Sequence, residues 1–206
     1  MNENGIGASV RRKEDQRFLI GKGNYTDDIN VAGQTHAVFV RSPHAHAEIK
    51  GIDCSDALAA PGVVAVLTGD DLAADGIGPL ICGVTVTSDD GEPHRAPAHP
   101  ALAQGKVNYV GDHVAIVIAE TRAQARDAAE LVDVDYNVLP AVIDTGSAAD
   151  SGQPQIHEVA PDNVCYNWPF GDKDGVEAAF AGAHKVSKLD LVNNRMVTNP
   201  MEPRAA

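Results

Sequence analysis

The sequence predicts an α+β fold, a mixed sheet with short helices packed on it. Of its 206 residues 44% are hydrophobic but only 4% aromatic. The core must therefore be built from Val, Ala, Leu and Ile, which suits strands interleaved with alanine-faced helices. "HVAIVIAE", from His113 to Glu120, is an almost unbroken apolar run rich in β-branched residues, the signature of a central strand covered on both faces. Directly behind it, Thr121 with Gln124 three residues on marks a helix start. Ala125, Ala128, Ala129 and Val132 then recur at i, i+3, i+4 and i+7, a narrow stripe of small side chains that lets a helix lie close on a sheet.

The remaining elements follow from local chemistry. Residues 1–16 are polar and without periodicity and read as a tail, with order beginning near Phe18. "GKGNYTDDINVAG" is dense in Gly, Asp and Asn and reads as a loop. "QTHAVFVR" and "AHAEIKGID" read as strands joined by a kink at Ser42-Pro43, "DCSDALAAPG" as a short helix opened by Asp and closed by Pro-Gly, and "VVAVLTG" as a further strand. From Gly76 to Gly105 there is little periodicity beyond "ICGVTV". A loop of that length is usually functional, and it is expected to be a contact surface. "VDVDYNVLPAV" alternates apolar and polar residues, a half-exposed strand. Beyond Asp144, "TGSAADSGQPQ" has linker composition and marks a boundary between residues 17–144 and 145–206. In the second part "NVCYNW" and "HKVSKLDLVNNR" read as strands. Between them "DGVEAAFAGA" reads as an amphipathic helix carried by Val176, Ala179, Phe180 and Ala183, so a small strand-helix-strand extension is expected.

Lys and Arg number 16 against 29 Asp and Glu, a formal charge of -13 that repels nucleic-acid backbones and anionic lipid. The opening residues carry no apolar h-region and no stretch reaches the roughly 18 apolar residues of a membrane span. A cytoplasmic protein is expected. Cys54, Cys82 and Cys165 are odd in number and show no CxxC, so neither a disulfide framework nor a zinc ribbon is indicated.

Few side chains carry chemistry by spacing. His44 and His46 in "SPHAHA" fall two apart, which on a strand places both imidazoles on one face. Two ligands do not make a metal site, and packed histidines at a turn are the plainer reading. His94 and His99 fall in the long loop and read as solvated. "GKGNY" lacks the pattern of a phosphate loop or of a dinucleotide fold and reads as a turn. The carboxylates of "GDDLAADG" suit a helix start and need no catalytic role. A helix start can lower the pKa of a thiol such as Cys54, but no base is paired with it. Glu202, between Pro200 and Pro203 and followed by Arg204, stands in a stiff charged corner that by spacing alone is an ordinary exposed ion pair.

Several stretches in order resemble one family: "RFLIGKGNYTDDI", "RSPHAHAEIKGID", "APGVVAVLTGDDL", "KVNYVGDHVAIVIAET", "AAELVDVDYNVLPAVID" and "NRMVTNPMEPRAA". They are similar to the N-terminal part of the molybdenum-containing large subunit of the xanthine dehydrogenase, aldehyde oxidase and carbon monoxide dehydrogenase family. The resemblance runs from about Arg17 to Ala206 and is weakest over the tail and residues 76–100. It implies an α/β-hammerhead domain over residues 17–144, followed by the truncated start of a molybdopterin-binding domain over 145–206. It further implies a molybdenum-molybdopterin cofactor in the complete enzyme, and partners holding FAD and iron-sulfur clusters.

The family's glycine-rich pterin loops and later catalytic glutamate would fall beyond Ala206. No catalytic, cofactor-binding or metal residue is therefore assigned to this chain alone, and it is expected to be inactive by itself. Glu202 matches a family position near the molybdenum pocket. The competing expectation is a stand-alone protein-interaction module without redox chemistry, and a third is a small metal-binding protein using His44 and His46. An exposed apolar patch at "VTNPM" would favour the first of these over the second.

Overall fold

Val38 and Val40 of "HAVFVR" point one way and Phe39 the other, and this alternation builds the first strand of a sheet whose middle is the apolar run the sequence singles out. The computed structural model describes residues 7, 9–83, 85–193 and 199, so Glu202 and all of "VTNPM" except Asn199 lie outside the described residues. The chain forms two units, one of Met1–Gln34 with Ser187–Ala206 and one of Thr35–Val186.

In the first unit a single helical turn, α1 (Asp15–Leu19), includes Phe18. Arg12 Nε donates to Asp15 Oδ1 at 3.0 Å at its start. The expected loop follows, containing one 3-10 turn at Thr26–Asp28, where the Asp28 carboxylate accepts the Tyr25 N–H at 2.9 Å.

The second unit runs β1 (His36–Arg41), β2 (Ala47–Asp53), α2 (Ser55–Ala59), β3 (Val63–Thr68), α3 (Gly69–Ala74), β4 (Lys106–Val107), β5 (His113–Ala119), α4 (Arg122–Ala129), β6 (Asp133–Val138) and α5 (Lys173–Ala181). The α+β class and its short helices are as the sequence predicts. The strands, however, divide into two three-stranded sheets, ordered β1-β5-β3 and β4-β2-β6, in place of one. Every pairing between neighbours is antiparallel. The Ser42-Pro43 bend is the physical reason for the division. Pro43 has no N–H to extend a ladder, so the chain leaves the first sheet there and β2 begins another.

β5 is central and covered on both faces, as its composition requires. Val117 packs with Ala57, Val66 and Ala128 under the helices. Val114, three residues away and so on the opposite face, packs with Ala47, Ala103 and Val107 of the second sheet and its loop. An unbroken apolar run signals two covered faces, and here the second cover is a sheet, so no parallel neighbour is needed. The alanine stripe of α4 does what its spacing predicts: Ala125 and Ala128 are fully buried. Thr121 Oγ1 accepts the Gln124 N–H at 3.3 Å and donates to Gln124 Oε1 at 2.8 Å. Thr121→Ala is expected to lower stability by about 1 kcal/mol, read as a fall in urea midpoint with unchanged slope.

The expected strand-helix-strand extension is corrected. Its helix forms as α5, with the Asp172 carboxylate accepting the Gly175 N–H at 2.9 Å. "NVCYNW" is not a strand: its carbonyls at Cys165 and Asn167 accept from the Arg95 and Asp89 N–H groups, each 2.8 Å, and the second also accepts the Ser88 hydroxyl at 3.2 Å. The Asn167 N–H goes to Ser88 Oγ at 3.0 Å, so side chains of the long loop take the place of a ladder. The described residues of the last expected strand, 184–193, form none either. No helix among the described residues is long and apolar enough to cross a membrane.

Candidate functional site

A cluster of polar side chains in the second unit lies where β1 turns into β2. The Ser42 N–H donates to Asp112 O and the Gly111 N–H to Ser42 O, both at 2.8 Å, which ties the bend to the turn before β5. Ser42 and Asp112 are both buried. Ser42 Oγ accepts the His44 N–H and donates to His44 O, both at 3.0 Å, so the hydroxyl proton goes to backbone and no imidazole activates it. Asp112 Oδ2 accepts the Asn108 N–H at 3.1 Å.

Two phenols complete the cluster. Burial, and then the Asp112 carboxylate, hold Tyr109 above the ordinary tyrosine range. Burial likewise raises Tyr136, which hydrogen-bonds Ser42. Both remain protonated at neutral pH. His113 is pushed down, first by burial and then by the Arg41 guanidinium beside it, and is neutral there. The cluster gathers hydrogen-bonding groups around one carboxylate with the Arg41 guanidinium beside them, a structural seam with no nucleophile and base aligned in it.

His44 and His46 do not share a strand face, because residues 44–46 form a bend and β2 begins only at Ala47. The two rings go to different partners. His44 meets the Tyr136 ring edge-on at 5.0 Å, while His46 Nδ1 lies 2.8 Å from Pro140 O. Among the described residues no three or more of His, Cys, Asp and Glu gather as metal ligands.

Of the carboxylates in "GDDLAADG", Asp71 makes the cap. Asp71 Oδ2 accepts the Thr68 N–H at 2.7 Å and the Thr68 hydroxyl at 2.8 Å, bonds that hold its carboxyl below the usual range. Cys54 goes the other way from an activated thiol: burial first, then the Asp71 and Asp53 carboxylates, push it up. In the long loop, Cys82 Sγ lies 3.8 Å from His94 Nε2. Val86 N–H donates to the other ring nitrogen of His94 at 3.3 Å. The Cys82 pairing spans twelve residues of irregular chain, and no motif spacing announces it. A groove of about 180 Å³ runs beside β2, lined by Ile49, Lys50, Ile52, Asp70 and Ala103 among others. It brings no acid-base pair together.

Among the described residues the buried side-chain atoms left without a partner make no cradle for a molybdopterin. A phosphate-bearing pterin asks for a cradle of N–H donors. Among the described residues the buried side-chain polar atoms without a partner are His46 Nε2 and Asn108 Oδ1. The second is an acceptor. The first belongs to a ring whose Nδ1 faces the Pro140 carbonyl, and neither atom is part of a run of N–H donors. No cofactor step is assigned to this part of the chain.

The family described as aldehyde oxidase and xanthine dehydrogenase, a/b hammerhead domain, matches residues 20–140. The carbon monoxide dehydrogenase large chain of Afipia carboxidovorans is 40% identical over 210 residues, covering 96% of this chain and 25% of that protein. The nicotine 6-hydroxylase large subunit of Paenarthrobacter nicotinovorans is 40% identical over 206 residues, covering 99% of this chain and 24% of that one. The solved CO dehydrogenase from Oligotropha carboxidovorans superposes with a TM-score of 0.69 at 38% identity, over 88% of this chain and 23% of that chain. The chain thus spans about a quarter of the length of the curated relatives it matches. With two antiparallel sheets, short helices and a match covering residues 20–140, the chain belongs to the aldehyde oxidase and xanthine dehydrogenase family of molybdenum hydroxylases and carries its α/β-hammerhead domain.

Proposed function

We propose that this chain is the structural and interface portion of a molybdenum hydroxylase large subunit, and that it takes part in oxidoreductase chemistry only when a cofactor-binding domain completes it. Residues 17–144 are the hammerhead domain and residues 145–206 open the molybdopterin-binding domain. In the completed enzyme Glu202 faces the substrate channel beside molybdenum, and electrons leave through iron-sulfur clusters and FAD on partner subunits. We place the chain in the cytoplasm, a reducing compartment consistent with Cys54 and Cys165 as thiols outside any disulfide.

The observation that carries this reading is the pairing of a hammerhead match over residues 20–140 with large apolar side chains that stay exposed after it. Phe170 is 92% exposed, and Trp168, Val176 and Phe180 are each more than half exposed. An interface that awaits a covering domain has this composition, whereas a solitary interaction module closes its own apolar face.

Co-expression with the remaining cofactor domain of a relative's large subunit, together with its FAD and iron-sulfur subunits, tests the proposal. A complex containing molybdenum by elemental analysis is the expected outcome. Recovery of free chain beside a partner without metal would overturn it and leave the stand-alone module.

A further inference from the structure

We propose that Trp168 and Phe170 form a rigid aromatic anchor for a partner surface that is apolar at its centre and rimmed by Lys and Arg. This rests on the interface reading above and names the chemistry of the surface that covers the two rings.

The rings form a pair, with centroids 5.8 Å apart and planes tilted by 41°. Both nevertheless stay in solvent, Trp168 at 57% and Phe170 at 92% exposure. Pro169 between them fixes its own φ and disfavours helical backbone at Trp168. Little chain freedom is left to lose when a partner takes hold.

The long loop builds the base on which the anchor stands. Residues 86–94 fold back on themselves, with the His94 N–H donating to Val86 O at 2.9 Å and the Ser88 N–H to Glu92 O at 2.8 Å. Asn167, immediately before Trp168, is clamped to that turn through its backbone and its side chain. Its N–H donates to Ser88 Oγ at 3.0 Å, its carbonyl accepts the Asp89 N–H at 2.8 Å, and its Nδ2 donates to Asp89 Oδ2 at 2.6 Å. Ser88 is only 7% exposed, so the clamp lies beneath the surface. Paired aromatic rings held out from a fixed backbone have the composition and the geometry of a binding hot spot.

Charge selects the partner. The turn carries Asp89, Asp90 and Glu92 against the guanidinium of Arg95, which lies 3.8 Å from Asp90. The whole chain has a formal charge of -13, so a second copy meets like charge with like. A surface of Lys and Arg around an apolar centre gains attraction at the rim and burial in the middle.

The chain has a single tryptophan, so labelling with 5-fluorotryptophan places one fluorine NMR signal at the anchor. The probes are the capped peptide Lys-Leu-Leu-Lys and its charge-reversed twin Glu-Leu-Leu-Glu, added to the full 206-residue chain. The first is expected to shift the Trp168 signal saturably and to bind about fivefold or more tighter than the second, a preference that fades at about 1 M salt. Phe170→Ala is expected to weaken the first peptide by about tenfold. Glu92→Lys is expected to weaken it by about fivefold, and Glu130→Lys, the same charge change at the end of α4, by less than about twofold.

No shift with the basic peptide, equal affinity for both peptides, or equal losses in Glu92→Lys and Glu130→Lys overturns the proposal. A signal that moves with chain concentration alone makes a second copy the occupant and overturns it too. The comparison of the two peptides uses the unaltered chain, so it decides even where a variant fails to fold. Should Trp168 ignore the basic peptide while the co-expressed complex still carries molybdenum, this inference falls and the interface reading stands.

Discussion

Gly69→Ala is expected to cost about 3 kcal/mol, although helix propensity alone favours alanine there by up to about 1 kcal/mol. Gly69 is the first residue of α3 and is buried against the chain entering β4. An added Cβ would overlap the carbonyl oxygen of Ala103 and sit 3.0 Å from Gln104 Cγ. The Gln104 side chain can swing aside, but the Ala103 backbone cannot. Its own N–H donates to His113 O at 2.7 Å, fastening it to the central strand, and its side chain is part of the core around Val107 and Val114. The overlap must be relieved by moving α3 or by breaking that bond. Gly51→Ala is the matched control, since nothing lies within 4 Å of its added Cβ, and its effect is expected to lie within about 1 kcal/mol of zero. Urea midpoints at unchanged slope are the readout. A Gly69→Ala chain as stable as its parent would show that the α3 junction is looser than described.

Much of the second unit was legible because its signals are local. The strands at 36–41, 47–53, 63–68 and 133–138 and the helix after Thr121 all fall where period and capping residues place them. The number of sheets was not legible. A run such as that of β5 records only that both faces are covered, and the identity of each cover depends on contacts distant in sequence, such as Val114 with Ala47 and Ala103. The failed strands near Cys165 and beyond His184 show the converse. Val, Leu and Tyr in alternation state a preference, and a ladder still needs a partner edge. Between Cys165 and Asn167 the neighbouring loop supplies isolated bonds from Ser88, Asp89 and Arg95 and no ladder.

The site was legible to a smaller degree. The spacing of His44 and His46 suggested a shared face, but Pro43, immediately before His44, bends the chain and the two rings go to separate partners. The Pro140 carbonyl that claims His46 lies ninety-four residues away in the chain, beyond the reach of any spacing argument. The helix-start carboxylates were legible because a cap is made within one turn. Glu202, the residue the family resemblance singles out, lies outside the described residues.

Val117→Ala and Ala128→Val are expected to destabilise the chain singly, by about 2–3 kcal/mol and about 1–3 kcal/mol, and to cost less together than the sum of the two. Val117 lies on β5 and Ala128 on α4, both are fully buried, and both belong to the cluster that also holds Ala57 and Val66. Removing two methyl groups from Val117 forfeits their transfer free energy and leaves a void, because β5 is held between β1 and β3 and cannot settle into it. Adding two carbons at Ala128 pushes the opposite way, wedging α4 off the sheet it approaches closely only because its stripe is alanine. In the double variant the new valine has the vacated volume to enter, and total core volume is conserved. A double-mutant cycle on urea midpoints reads the coupling, expected at about 1 kcal/mol or more in the favourable direction. Strict additivity would mean that the two side chains do not share a packing surface, and that α4 is held on the sheet by Ala125 and its neighbours without help from the Ala128 contact.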